Sequence, residues 1–324
     1  MTITILGASG RMGSAVANLF ARELANADIE ETVIGTYRNA PLAIDGVQDV
    51  QLDANDEKAL AALCTQSDTV IDCLGPSAVY GERVSRVCDA CSTPLISLGH
   101  VHAQGARGQI LQAGAIPGFL AGAFLLAGTS AKNDVEMIYE FNGTLTPAAA
   151  HDILATDYSN GLDASYGKPH ATSVDATVAI PYSDAVTWEL ACKHHLEVHA
   201  FSIWPQALLE AFHAPADMGL DRRALSMSAA STLGYNHDTL VHIITNPGTY
   251  DQDIITLHIP SLYEFSAAGA WLAWQESPCQ NTDEAKPFAL VAWDNLPSII
   301  ERALQMSGGW ISRSGEDEAE EGEL

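Results

Sequence analysis

Short apolar runs alternate with helical stretches through the first 130 residues of the chain. Runs of strand length occur at residues 3–6, 31–36, 47–52, 69–73 and 94–98. Apolar positions recur at helical spacing between the last two runs, at Val84, Val87, Cys88 and Cys91, and a helix is also predicted over 56–64. Apolar strands that alternate with helices are typical of a covered parallel sheet. The pattern therefore predicts an α/β fold with a Rossmann-type, doubly wound parallel sheet.

The pattern changes character after residue 131. Strand-like runs then occur at 135–141, 176–180, 196–203, 239–245 and 254–259. Helical stretches are interspersed at 205–212, 221–233 and 266–275. This mixture predicts a second domain of the α+β class, built on a mixed or mostly antiparallel sheet.

Domain ranges follow from this change of pattern. We expect residues 1–130 to form the first domain and 131–295 to form the second, which would bind substrate or mediate oligomerisation. The segment 296–311 contains a predicted last helix, over 296–306, which the pattern allows to return to the first domain. Residues 312–324 are rich in acidic side chains and are predicted to be a disordered tail.

A glycine-rich turn joins the first predicted strand to the first helix. Gly7, Gly10 and Gly13 follow the run 3–6 directly, with the spacing G-x-x-G-x-x-G. Small residues let backbone N–H groups approach a pyrophosphate, and the helix that follows directs the positive end of its dipole at the same anion. The spacing is a variant of the dinucleotide-binding fingerprint. The alternative is a glycine-rich turn that binds nothing.

The end of the second predicted strand distinguishes between two dinucleotides. An NAD site usually places Asp or Glu there, as an acceptor for the ribose 2′-hydroxyl. This chain has Arg38 instead, and a guanidinium pairs well with a 2′-phosphate. The residue predicts NADP(H) over NAD(H). The alternative is that Arg38 is an ordinary solvated side chain after a strand.

The charge of the chain excludes several kinds of partner. It carries 41 acidic residues against 15 lysines and arginines, a formal net charge of −26. Such a field repels nucleic acid and anionic membranes, so an anionic ligand must be captured by local positive groups. The apolar run 109–131 contains Gln109, Gln112 and Pro117, which argues against a spanning helix. With no basic, apolar leader before the first strand, we expect a cytoplasmic protein.

Two groups of potential metal ligands occur, and neither predicts a metal site. Cys88 and Cys91 have zinc or redox spacing, but without a second pair nearby they fit a buried helix face better. His195 and His199 alternate with apolar residues, as on a half-exposed strand. No metal is therefore expected.

A second pattern spans residues 68–127. The strand 69–73 leads into Cys73-Leu74-Gly75-Pro76, a Tyr80-Gly81-x-x-Val84 helix follows, and Gly114–Gly118 forms a later glycine and proline loop. This pattern resembles the saccharopine dehydrogenase-like NADP-binding reductases. The Gly10-Arg11-Met12-Gly13 turn is also similar to that of dihydrodipicolinate reductases, whose His-His-x-x-x-Lys stretch this chain lacks.

The resemblance implies roles for residues at the strand ends. The pyrophosphate would contact Gly7, Ser9, Gly10, Arg11, Met12 and Gly13. Arg38 would bind the adenosine 2′-phosphate, and Asp53 would border the adenine. The nicotinamide ribose would lie beside Cys73, Leu74, Gly75 and Pro76.

Two departures from the family pattern concern the proton donor. His100 stands where the family often has an acidic residue, and the segment 100–112 is short for the family's usual helix and strand. Tyr80 and His100, with His102 nearby, are the candidate donors, since an imidazole with a pKa near 6.5 suits proton exchange. The alternatives are a tyrosine that packs on the cofactor and a histidine that bonds to backbone.

Together these observations predict an oxidoreductase that uses NADP(H), with NAD(H) less favoured. Both families imply hydride transfer at a C–N bond, so the expected partner is a small amino acid or imine; a C=O bond is less favoured. The alternative is a non-catalytic NADP(H)-binding protein that senses redox state or supports a partner enzyme. A cofactor-free structural protein would require an empty Gly7–Gly13 turn. A homodimer is compatible with each of these hypotheses.

Overall fold

The computed structural model describes residues 1–99, 106–116, 118–130, 134–140, 144–155, 179–181, 185–232, 238–276 and 284–314. The first elements in chain order are β1 (Thr2–Leu6), α1 (Arg11–Asn26), β2 (Thr32–Tyr37), β3 (Val47–Gln51), α2 (Glu57–Thr65), β4 (Thr69–Asp72), α3 (Ser77–Cys91), β5 (Leu95–Ser97) and β6 (Gln109–Leu111). After a 3-10 helical segment, Phe119–Ser130, come β7 (Asp134–Glu140), α4 (Pro147–Ala155), β8 (Ala179–Pro181), α5 (Ala185–His194), β9 (Glu197–Ile203), α6 (Gln206–Phe212), α7 (Leu220–Ala230), β10 (Thr239–Thr245) and β11 (Asp253–Ile259). The remaining described elements include α8 (Leu262–Glu276), β12 (Lys286–Pro287), α9 (Phe288–Val291), α10 (Leu296–Ser307) and β13 (Trp310–Arg313).

The first unit is built on a seven-stranded sheet in the order β12-β6-β5-β4-β1-β2-β3. Every neighbouring pair in it is parallel. The central strands are buried on both faces: Ile5 and Ile71 lie on one face, Leu6 and Val70 lie on the other, and all four are fully buried. Helices must cover both faces of such a sheet. The predicted Rossmann-type doubly wound sheet is confirmed.

The two compact units differ from the expected domain ranges. The first unit comprises Met1–Leu120 and Leu262–Met306, and the second comprises the described residues of Ala121–Ser261 and those from Ser307 onward. The stretch 262–295, expected in the second domain, therefore groups with the first. The physical reason is the packing of α8 on α1, where the ring of Phe20 lies 4.9 Å from that of Trp271 and 5.8 Å from that of Trp274.

Two strands of the first sheet, β6 and β12, have no counterpart in the predicted elements. β6 lies within the segment that the sequence left without a strand, and it holds only three residues. Its first residue, Gln109, is fully buried although it is polar, so it interrupts the apolar run that would predict a strand. The Gln109 side chain accepts a 2.6 Å hydrogen bond from the Ser85 hydroxyl and donates a 2.9 Å bond to the Ser85 carbonyl. These two hydrogen bonds satisfy the buried Gln109 amide, a polar group that sequence periodicity would place at an exposed position.

The second unit is built on a six-stranded mixed sheet in the order β13-β11-β10-β7-β9-β8. β10 pairs antiparallel with both β7 and β11, whereas β7 and β9 are parallel. The α+β character of the second domain is thereby confirmed. His199 lies on β9 with its Nε2 atom 3.2 Å from the Glu197 carboxylate, which agrees with the predicted half-exposed strand. Within the described residues, no helix has the length and apolar character that crossing a membrane requires.

The aromatic contact between α1 and α8 generates a stability prediction. Truncating the fully buried Phe20 to alanine removes the ring between two tryptophans and leaves a cavity, so we expect Phe20→Ala to lower the free energy of unfolding by about 3–5 kcal/mol. Urea denaturation followed by circular dichroism and tryptophan fluorescence measures the change. Ile29→Ala, at a side chain 42% exposed, is the control and should stay within about 0.5 kcal/mol of the parent. A loss below about 1 kcal/mol for Phe20→Ala would contradict this packing.

Candidate functional site

The turn between β1 and α1 is held by short backbone contacts. Gly7 has φ +72°, and its N–H donates a 2.9 Å hydrogen bond to the hydroxyl of Thr36 on β2. The N–H of Gly10 donates a 2.9 Å bond to the Gly7 carbonyl. A Cβ atom on Gly13 would overlap that same carbonyl, so only glycine lets the first turn of α1 pack so closely on the strand end.

The N-terminus of α1 is open to an anion. Ser9, Gly10 and Arg11 are exposed, and the first turn of the helix carries no acidic residue. Backbone N–H groups of a first helical turn have no intrahelical acceptor, and they add to the positive end of the helix dipole. The Gly7–Gly13 turn and the start of α1, called the cradle below, thus fit a diphosphate, which needs close N–H donors and a positive field.

A second turn lies directly against the glycine turn. A Cβ on Gly7 would lie 3.1 Å from the Cys73 carbonyl oxygen and 3.2 Å from the Leu74 Cα. The Cys73 N–H donates to the Leu6 carbonyl at 3.1 Å, which ties this turn to the end of β1. The Leu98 N–H donates to the Asp72 carbonyl at 3.1 Å, so the end of β5 joins the same edge. The structure therefore brings Gly7 and the Cys73–Pro76 turn together, as the topology of a parallel sheet requires.

The two titratable groups at this turn are both constrained. Asp72 is 2% exposed, and its carboxylate accepts a 3.0 Å hydrogen bond from the Leu74 N–H and lies 3.5 Å from the Ser97 hydroxyl. Burial, followed by the nearby Asp72 charge, raises the pKa of the Cys73 thiol well above its usual range. Cys73 is therefore a neutral thiol at physiological pH and not an activated nucleophile.

The opposite end of the edge carries Arg38 and Asp53, both exposed. β2 and β3 are parallel neighbours, and the Leu52 N–H donates to the Tyr37 carbonyl at 2.9 Å beyond the regular pairing. A hydrogen bond from the Asn55 backbone N–H lowers the pKa of the Asp53 carboxyl, and the charges of Arg38 and Arg83 lower it further. Arg38 and Asp53 are thus close enough to interact.

The two candidate proton donors fare differently. Tyr80 lies in the first turn of α3, half-buried, and the guanidinium carbon of Arg83 lies 5.8 Å from its ring centre. His100, and His102 with it, lie outside the described residues. The geometry therefore places Tyr80 on the helix that begins at the Cys73–Pro76 turn.

Three residues of this edge were missed by the sequence reasoning. Thr36 fixes Gly7, Asp72 fixes the Cys73–Pro76 turn, and Asn55 holds Asp53. Thr36 and Asp72 carry a signal that sequence reasoning can use, because each ends a buried parallel strand at the ligand-binding edge. The bond from Asn55 to Asp53 spans only two residues, whereas the bond from Arg83 that holds Asn55 joins two elements and gives no signal along the sequence.

Comparison with known proteins agrees with this geometry. Residues 3–102 match the model of a family described as the saccharopine dehydrogenase NADP binding domain. The match covers the glycine turn, Arg38 and the Cys73–Pro76 turn, and confirms the resemblance and the predicted cofactor class at the level of the family. No curated protein matches the chain.

One solved structure shares the fold over 97% of the chain, and others match only about 30% of it. Apo saccharopine dehydrogenase (L-Glu forming) from Saccharomyces cerevisiae matches 97% of this chain and 99% of its own, with 14% identity and a TM-score of 0.58. A short-chain dehydrogenase/reductase from Veillonella parvula in complex with NADP matches 30% of this chain and 46% of its own, at 14% identity and a TM-score of 0.24. WbmH from Bordetella bronchiseptica, in complex with NAD+, matches 29% and 38%, at 16% identity and 0.24.

The glycine turn generates a binding prediction with internal controls. Gly10 has φ −81°, and an added Cβ would meet only the Gly7 carbonyl, at 3.3 Å. Gly10→Leu should therefore fold but place a bulky side chain over the exposed N–H groups, weakening NADPH binding by more than about tenfold, or about 1.4 kcal/mol. Isothermal titration calorimetry measures the affinity.

The control variants separate crowding of the anion site from damage to the fold. Gly10→Ala should bind NADPH more tightly than Gly10→Leu, because its methyl group is small. Gly13→Ala should lower the melting temperature, since its Cβ overlaps backbone. Parent-like NADPH affinity in Gly10→Leu would show that the cofactor does not bind at this turn.

Proposed function

We propose that the chain is an NADP(H)-dependent oxidoreductase, because residues 3–102 match the model of the saccharopine dehydrogenase NADP binding domain. We further propose that it transfers hydride at the C–N bond, imine or amine, of an amino-acid-like small molecule. The observation that carries the proposal is the Gly7–Gly13 cradle, where Gly13 leaves no room for a Cβ and the first turn of α1 faces the anion site.

In this proposal, different residues of the first unit bind different parts of the cofactor. Met12 and Gly13 offer backbone N–H groups to the pyrophosphate, Gly10 leaves room for it to approach, and Arg11 adds a positive charge beside them. Arg38 binds the 2′-phosphate, and Asp53 borders the adenine. When bound, the nicotinamide ring supplies or accepts the hydride, while Cys73, Leu74, Gly75 and Pro76 orient it and exclude water.

Electrostatics supports a cofactor that is anchored locally. The net charge of −26 opposes the approach of an anionic dinucleotide, so the affinity must come from Arg11, Arg38 and the helix N-terminus. A guanidinium at position 38 favours a 2′-phosphate over a 2′-hydroxyl, because charge-assisted pairs are the stronger ones. This supports NADP(H) rather than NAD(H).

The substrate class rests on the fold and on the name of its relative. The yeast structure that shares the fold over the whole chain is a saccharopine dehydrogenase. Saccharopine is an amino-acid derivative with a secondary amine, so the corresponding hydride transfer takes place at a C–N bond. We place substrate selection in the second unit, where the resemblance of the sequence to the family is weak.

A redox sensor without catalytic activity is the second candidate function. His100 stands where the family often has an acidic residue, so the proton donor of the family does not carry over to this chain. A protein that binds NADP(H) tightly but does not turn over substrate would keep the cradle and lose only the donor.

Cofactor binding and turnover together test the proposal. We expect calorimetric titration to give tighter binding for NADPH than for NADH, and absorbance at 340 nm to change with one pair from a panel of amino acids and keto acids. Tighter NADH binding would refute the role of Arg38. Binding of NADPH without turnover on any pair would favour the redox sensor, and a chain that binds neither dinucleotide would refute both functions.

The proton donor is tested by two single variants. Removing a general acid costs about 10²–10⁴-fold in rate, so we expect either Tyr80→Phe or His100→Gln to reduce kcat to that extent while NADPH binding changes little. Steady-state kinetics between pH 5 and 10 measure the effect, and the variant that removes the donor should also lose one limb of the pH profile. If both variants keep the parent kcat and pH profile, neither residue is the donor.

A further inference from the structure

The side chain of Arg83 on α3 reaches the loop between β3 and α2. Its guanidinium donates a 2.9 Å hydrogen bond to the Asn55 side-chain oxygen and a 3.2 Å bond to the Ala54 carbonyl. Its Nε lies 3.7 Å from a carboxylate oxygen of Glu57. The Arg83 side chain is 27% exposed, so the loop partly covers it. Two hydrogen bonds from this side chain fix the loop to α3, and the Glu57 contact joins α3 to the start of α2.

Asn55 passes this constraint on to Asp53. Its side-chain N–H donates a 2.9 Å hydrogen bond to Asp53 Oδ1, and its backbone N–H donates a 3.0 Å bond to the same oxygen. The amide of Asn55 therefore has both ends engaged, with its oxygen held by Arg83 and its nitrogen bound to Asp53. A continuous chain of hydrogen bonds runs from Arg83 through Asn55 to Asp53.

The position of the Asp53 carboxylate matters because Arg38 lies near it. β2 and β3 pair in parallel up to Tyr37 and Gln51, and the Leu52 N–H donates to the Tyr37 carbonyl at 2.9 Å, so Arg38 and Asp53 follow neighbouring strand ends. The charge of Arg38 also contributes to the lowered pKa of Asp53, after the hydrogen bond from Asn55. A freely moving carboxylate would pair with the Arg38 guanidinium and compete with a 2′-phosphate for the same donors. Two hydrogen bonds from Asn55 engage Oδ1 and so compete with its pairing to Arg38.

From this arrangement we infer that Arg83 is a positioning residue for recognition of the adenosine 2′-phosphate. Through Asn55 it holds Asp53 away from Arg38, so that the Arg38 guanidinium is available to the phosphate. Arg83 also places a second positive charge near Asp53, in a chain with a net charge of −26. The inference rests on the proposed use of NADP(H), and it adds a residue on α3 to the specificity of that site.

Arg86 offers a matched control on the same helix. Its guanidinium pairs with the Glu57 carboxylate at 2.6 and 3.3 Å, and its side chain is 63% exposed. Neither of these bonds reaches Asn55 or Asp53. A substitution of Arg86 therefore removes one arginine from α3 without breaking the chain of hydrogen bonds.

The test measures the dissociation constants of NADPH and NADH for Arg83→Gln, Arg83→Lys and Arg86→Gln. We expect Arg83→Gln to weaken NADPH binding about tenfold and NADH binding less than about twofold, since only NADPH uses Arg38 through its 2′-phosphate. Arg83→Lys should recover part of the NADPH affinity by keeping the charge and one donor. Arg86→Gln should leave the ratio of the two constants at the parent value.

A purely structural role of Arg83 gives a different result. If Arg83 only joins α3 to the loop, NADPH and NADH lose affinity equally in Arg83→Gln, and that outcome overturns the inference. Asn55→Ala breaks the chain at an exposed residue and provides the same readout if Arg83→Gln does not fold. The double variant of Arg83→Gln and Asn55→Ala should lose little more NADPH affinity than either single variant, because both substitutions break the same chain of hydrogen bonds.

Failure of the proposed function is distinguishable from failure of this inference. If the parent protein binds neither NADPH nor NADH, the proposed function and the inference both fall. If the parent prefers NADPH and the ratio of constants does not move in Arg83→Gln or Asn55→Ala, only the role of Arg83 falls.

Discussion

The close approach of Gly13 to the Gly7 carbonyl is the contact on which the candidate site depends. It lets α1 begin within four residues of β1, so that the positive end of the helix lies at the edge where the parallel strands end. The same turn touches Cys73 and Leu74, and Thr36 holds it from the other side. One backbone contact thus sets the relative positions of the loops that follow β1, β2 and β4.

The negative net charge of the chain makes the local positive groups of this edge important for binding an anion. A protein with 41 acidic and 15 basic residues has a general field that opposes an anionic cofactor. Binding then depends on a few positive groups that act at short range, where the field of distant carboxylates is screened. Arg11 and Arg38, together with the dipole of α1, provide such groups at separate points of one edge. A carboxylate that pairs with one of these arginines would therefore reduce the affinity for an anionic cofactor more than it would in a protein of balanced charge.

The predictable part of the structure is the part that follows from local pattern. β1, β2 and β10 were predicted to within a residue, because their apolar runs are long enough to show a period. β6 was missed because it has three residues and begins with a buried glutamine whose partners lie on α3. The glycine turn is a local motif and was predicted. The link from Arg83 to Asp53 joins α3 to a loop, so no spacing along the chain shows it.

The groups described at the Cys73–Pro76 turn restrict the chemistry that the proposed reaction can use. A good general acid needs a pKa near the working pH, whereas burial raises the pKa of the Cys73 thiol well above that range. The Asp72 carboxylate is buried, and it accepts a hydrogen bond from the Leu74 N–H. In the proposed reaction, the proton for the substrate therefore comes from outside the Cys73–Pro76 turn. Tyr80, one helical turn further on, and His100, after β5, are the groups that the order of the chain offers for that step.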